Sequence, residues 1–83
     1  MIRILVADDH TVVREGVKQI LSAQSDIVVE DEAEDGKETL EKVLRGSFDM
    51  VLLDISMPGR GGLEVLEDIL KSKPKLPVLI LSM

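Results

Sequence analysis

Residues 51–62 read VLLDISMPGRGG, an apolar run that stops on Asp54 and passes at once into a Pro/Gly turn. The run from Met50 to Leu53 is short enough for a strand and shows no polar alternation, so both of its faces expect cover. Beyond the turn, Leu63, Leu66, Ile69 and Leu70 recur at helical spacing, and the lysine-rich KSKPK with Pro74 closes that helix. Working outward, Ile2 to Ala7 is apolar apart from Arg3 and stops on Asp8-Asp9. A helix follows, with Thr11 as its expected N-cap, Glu15 near its positive end, and Val13, Val17, Ile20 and Leu21 on one face. Ile27 to Val29 begins a weaker strand that runs into the acidic EDEAEDG, and Leu40, Val43 and Leu44 mark a short second helix. Pro77 opens a fourth strand, Val78 to Leu81.

The order is therefore βαβαβαβ. Strands that are apolar on both faces need helices on both sides, which predicts an α/β fold with an open, doubly wound parallel sheet. Right-handed crossovers, and the rule that sites lie at the carboxyl ends of the strands, then bring Asp8, Asp9 and Asp54 to one edge.

Composition bounds what such a domain does. Residues 1–83 suit a single domain, with 45% hydrophobic residues for one core and 31% charged residues for its surface. A net charge of −6 repels phosphate backbones and anionic lipid, so neither direct nucleic-acid binding nor membrane binding is expected of this segment. There is no cysteine for a disulfide or thiolate site, and the start MIRILVADD is too short an apolar run for a signal peptide or membrane span. A cytoplasmic address is the expectation. Phe48 is the single aromatic residue, which leaves no stacking platform for bases.

Three converging carboxylates repel one another and call for a compensating cation. Oxygen donors without a thiolate or spaced imidazole favour Mg²⁺, Mn²⁺ or Ca²⁺ over Zn²⁺, and a few carboxylates completed by water and phosphate oxygens favour Mg²⁺. Acids at strand ends are also ordinary solvated loop residues, and for any one of them alone that reading stands open. His10 has no spaced partner and reads as a surface or helix-start residue. Glu30, Asp31, Glu32, Glu34 and Asp35 lack the D-x-D-x-D-G spacing of a calcium loop and read as a solvated strand edge. Gly59, Gly61 and Gly62 match no phosphate-binding glycine motif, and the methionines read as packing residues.

The stretches LVADDH at 5–10, VLLDISMPGRGGLEVL at 51–66 and PVLILS at 77–82 together resemble the receiver domain of two-component response regulators. The DDH variant and the D-I-x-M-P-G-x-x-G-L-E run are most similar to the LuxR/FixJ (NarL-like) type. The resemblance implies a flavodoxin-like, CheY-like sheet of order 2-1-3-4-5. It also implies that Asp54 accepts a phosphoryl group from the phosphohistidine of a sensor histidine kinase. Mg²⁺ would be held by Asp9 directly, by Asp8 through water, by Asp54 and by the backbone carbonyl of Ser56. Ser82 matches the family's hydroxyl that hydrogen-bonds the bound phosphoryl, and Pro58 and Gly59 shape the turn beside the site.

The family continues past this point through a fourth helix, a fifth strand ending in a lysine, and a fifth helix, whereas these 83 residues stop at Met83. The expectation is a receiver truncated after its fourth strand, without that lysine and without an output domain that would bind DNA. It acts as a signalling module rather than an enzyme, in a parent that regulates transcription. An uncovered fourth strand is expected to recruit a partner, giving a homodimer or a strand-exchanged pair. The alternative is a self-associating structural fragment with a vestigial acidic site. A phosphatase with an aspartyl nucleophile fits less well, because the D-x-D pattern is missing and Ser56 stands where its second acid would be.

Overall fold

The computed structural model describes residues 1–57 and 61–81. Its elements follow the expected order: β1 (Ile2–Ala7), α1 (Thr11–Ser22), β2 (Ile27–Ala33), α2 (Gly36–Arg45), β3 (Met50–Asp54), α3 (Gly62–Ser72) and β4 (Val78–Leu81). The strands form one parallel sheet of order β2-β1-β3-β4, so the chain leaves β1 toward one edge and returns to build toward the other.

Alternation along the strands explains the two layers. Leu5, Ala7, Val51 and Leu53 point to a core shared with Val43 of α2 and with Val65 and Ile69 of α3. Ile4, Val6 and Leu52 point the other way, toward Val17 and Leu21 of α1. The sheet is thus covered on both faces, which is why β1 and β3 carry almost no polar residues. Each fully buried Leu, Ile or Val contributes roughly 1.5–3 kcal/mol relative to exposure.

Several local expectations need correction. Thr11 is the first helical residue of α1 rather than its cap; His10 holds the cap position in extended conformation, and no acid lies in the first turn, so Glu15 is too far along to meet the positive end. Ile20 is 71% exposed, and the inner stripe of α1 is instead Val13, Arg14, Val17 and Leu21. On α3 the inner residues are Gly62, Val65 and Ile69, with Leu66 partly buried, while Leu63 is 63% exposed and Leu70 also faces out. Strand β2 is longer than its apolar part, because Asp31 and Glu32 continue the pairing to Ala33 after a register shift between Ile4 and Leu5 that skips Glu30. Those acids are paired to cations, Glu32 to Arg14 and Lys18 and Asp31 to Lys42. Asp35 is not merely solvated either: its side chain accepts from the Glu38 amide at 2.8 Å and caps α2.

Gly62 fixes how α3 meets the sheet. A Cβ at this position would lie 2.2 Å from the Cα of Ile55, so α3 begins in direct backbone contact with the turn that follows Asp54. Only glycine permits that approach.

Candidate functional site

Strand pairing alone assembles the acidic site. Ala7 of β1 is paired with Leu53 of β3, so the next residue on each strand, Asp8 and Asp54, emerges side by side at the carboxyl edge of the sheet. This edge lies where the chain turns to opposite sides of β1, the usual place for a ligand site in an open α/β sheet. One ligand atom from each of Asp8, Asp9, His10 and Asp54 lies within 4.8 Å of all the others. The three acids expected to converge do so.

Both Asp8 and Asp54 are fully buried. Asp54 Oδ1 accepts from the Ser56 amide at 2.9 Å and from the Ser56 hydroxyl at 2.7 Å. Asp8 Oδ1 accepts from the His10 amide at 2.8 Å and lies 2.8 Å from His10 Nδ1. The second oxygens, Asp8 Oδ2 and Asp54 Oδ2, are buried without any hydrogen-bond partner among the described residues. Buried carboxylate oxygens left unpaired are costly, and a hard divalent cation resolves that cost. The donor set therefore fits Mg²⁺, with Asp9 partly exposed at the rim.

The electrostatics agree with an ionised acceptor. Burial pushes the Asp54 carboxyl up, but the Ser56 amide and hydroxyl and the neighbouring His10 ring outweigh it and hold it below the ordinary aspartate value. His10 is pushed up from its ordinary value, chiefly by its hydrogen bond to Asp8 and then by the charge of Asp9.

The contacts of two residues of the site region lie outside the sequence-based expectation. His10 is the exposed helix-start residue that the sequence suggests, and it also places its ring nitrogen 2.8 Å from Asp8, 3.1 Å from Asp9 and 3.9 Å from Asp54. Its sequence signal was its place directly after the acid pair, at the start of α1. Arg14 is a buried guanidinium that donates to the Asp8 carbonyl at 2.7 Å, to Glu32 at 3.0 Å and to Thr11 at 3.3 Å. It ties the loop carrying the acids to α1 and β2; its signal was a lone cation between Val13 and Val17 on an inward stripe. Ser82, Pro58 and Gly59 lie outside the described residues.

Comparison with known proteins fixes the family. The sequence model of the response regulator receiver domain matches residues 4–83. The chain belongs to the response regulator receiver domains. This receiver is 44% identical over 82 residues to the oxygen regulatory protein NreC of Staphylococcus carnosus, covering 98% of the chain and 38% of NreC. Among solved structures it resembles the response regulator TrrA of Thermotoga maritima in complex with Mg²⁺-BeF, with a TM-score of 0.92, 43% identity, and coverage of 99% of this chain and 70% of that one. A LuxR-family two-component response regulator from Aurantimonas sp. SI85-9A1 gives a TM-score of 0.91 at 32% identity, with coverage of 98% and 58%. The chain thus spans well under half the length of NreC. The receiver fold expected from the sequence is borne out, four parallel strands and three helices included.

Proposed function

We propose that this receiver is a phosphoacceptor, with Asp54 taking a phosphoryl group from the phosphohistidine of a sensor histidine kinase. The observation that carries this reading is the Asp54 carboxylate itself: buried, held below its ordinary value, with one oxygen fixed by Ser56 and the other, beside Asp8, without a partner among the described residues. Fixing Oδ1 orients the carboxylate at the acidic edge of the sheet. In the transfer, a bond forms from an Asp54 carboxylate oxygen to phosphorus as the donor's phosphorus–nitrogen bond breaks, leaving the imidazole with its electron pair.

Asp9, Asp54 and the Ser56 carbonyl would hold Mg²⁺ directly, and Asp8 through water. When bound, the ion supplies positive charge to the transferring phosphoryl oxygens. Arg14, bonded to the Asp8 carbonyl, holds the acid-bearing loop in place. Ser82 keeps the role of hydrogen-bonding the bound phosphoryl. On this reading Asp54 is a stoichiometric acceptor rather than the centre of an enzyme that turns over.

A transcriptional regulator in the cytoplasm is the proposed parent, supported by similarity to a LuxR-family response regulator. No helix among the described residues is long and apolar enough to cross a membrane. Self-association is part of the same proposal: β4 lies at the edge of the described sheet, and Leu79 and Ile80 on it are exposed. The primary test is incubation with acetyl phosphate, with and without Mg²⁺. Intact mass is expected to show one added phosphoryl group with Mg²⁺, and none in Asp54→Ala; equal labelling of the variant overturns the assignment.

A further inference from the structure

The geometry points to His10 as a nitrogen donor to the cation site, which makes that site one of mixed oxygen and nitrogen donors with a raised preference for late first-row divalent ions such as Co²⁺, Ni²⁺ and Zn²⁺. The inference rests on the reading that the three acids hold a divalent cation, and it assigns a further residue and a further class of ion to them.

The spacing is that of ligands around one ion. Donors bonded at about 2.0–2.2 Å lie about 3 Å apart when adjacent and about 4.2 Å apart when opposite. His10 Nδ1 lies 2.8 Å from Asp8 Oδ1, 3.1 Å from Asp9 Oδ1 and 3.9 Å from Asp54 Oδ2. Ligand atoms of Asp9, His10 and Asp54 lie within 4.8 Å of one another, so a sub-ångström closure brings these direct donors onto one ion, with Asp8 joined through water.

The ring is held there rather than arriving by chance rotation. His10 occupies the cap position of α1 in extended conformation, and its own amide donates to Asp8 Oδ1, which pins its backbone beside the site. A second observation, independent of the acids' proximity, calls for a cation: Asp8 Oδ2 and Asp54 Oδ2 are buried with no partner among the described residues. Imidazole nitrogen suits late first-row ions, whereas Mg²⁺ prefers an all-oxygen shell and gains little from it. A late first-row ion displaces the Nδ1 proton that bonds Asp8 and takes its place on the ring, so His10 is a specificity-determining donor: it leaves Mg²⁺ binding to the carboxylates and gives the competing ions an extra bond.

Because His10 is the sole histidine of the chain, its signals need no assignment. The experiment titrates the wild-type chain and His10→Ala separately with Mg²⁺ and with Co²⁺ by calorimetry, following the visible absorption of Co²⁺. Zn²⁺-dependent shifts of the ¹⁵N-labelled imidazole are recorded on the wild type, which keeps the test valid should the variant fold poorly. Expected are a loss of at least about tenfold in Co²⁺ affinity with Mg²⁺ affinity changed less than about threefold, and a large Zn²⁺-dependent shift confined to Nδ1. Equal losses for both ions, no loss for Co²⁺, or an Nδ1 signal unmoved by saturating Zn²⁺ overturns the role of His10. Failure of the wild type to bind any divalent ion overturns instead the cation site on which it rests.

Discussion

Replacing Gly62 by alanine adds one methyl group at the point where α3 touches the loop that carries the acceptor. That methyl would lie 2.2 Å from Ile55 Cα and 2.6 Å from both its carbonyl carbon and oxygen. Carbon atoms in contact sit about 3.5–4.0 Å apart, so the overlap is about 1.3 Å or more. The obstructing atoms are backbone and have no rotamer to yield, so α3 must back away from the sheet and loosen Val65 and Ile69 in the core. Overpacking of this kind costs about 1–3 kcal/mol, against a gain of up to about 1 kcal/mol from alanine's better helix propensity. A net loss of about 1–2 kcal/mol is expected, which lowers the urea midpoint by about 1–2 M for a slope near 1 kcal/mol/M. Gly16, inside α1, has nothing within 4 Å of the same methyl position. Gly16→Ala should therefore raise stability by about 0.5–1 kcal/mol. The chain has no Trp or Tyr, so far-UV circular dichroism is the probe. Gly62→Ala unfolding at or above the wild-type midpoint would refute the close approach.

Arg14→Met keeps an apolar stem but removes the bonds to the Asp8 carbonyl, Glu32 and Thr11, and urea unfolding should show a loss of about 2–3 kcal/mol. Glu32 is held below its ordinary value by the Lys18 ammonium, partly opposed by burial and reinforced by Arg14. A lowered carboxyl contributes stability above its unfolded value near 4.5, lost as pH falls through the folded value, so Glu32→Gln should be less stable than wild type at pH 7, with the gap closing as pH falls below 4.5. Leu79→Lys on the edge strand should convert any concentration-dependent dimer seen by light scattering to monomer; a wild type that stays monomeric at high concentration refutes the edge-pairing proposal.

The parts of the fold legible in the sequence are those where one physical signal dominates. The run before Asp54 and the run before Asp8 are apolar on both faces, so strands, helices and the meeting of their terminal acids follow from period and topology. The tail of β2 was hidden because Glu30, Asp31 and Glu32 carry no apolar alternation; cations from α1 and α2 make that stretch acceptable as an edge strand. The face of α3 departs from its leucine stripe, because α3 meets the sheet through Gly62 and carries Leu63 and Leu70 outward. His10 has no spaced partner in the sequence; its partners are the two acids immediately before it, brought to its ring by a turn that no helical or strand period describes.

Asp54 is expected to form an acyl phosphate. Treating the phosphodonor-loaded chain with borohydride reduces an aspartyl phosphate to homoserine, and peptide mass mapping reads the position directly. Homoserine at position 54, dependent on both phosphodonor and Mg²⁺, is the expected result. Recovery of unmodified Asp54 beside a reduced residue elsewhere, such as position 8 or 9, would contradict the account.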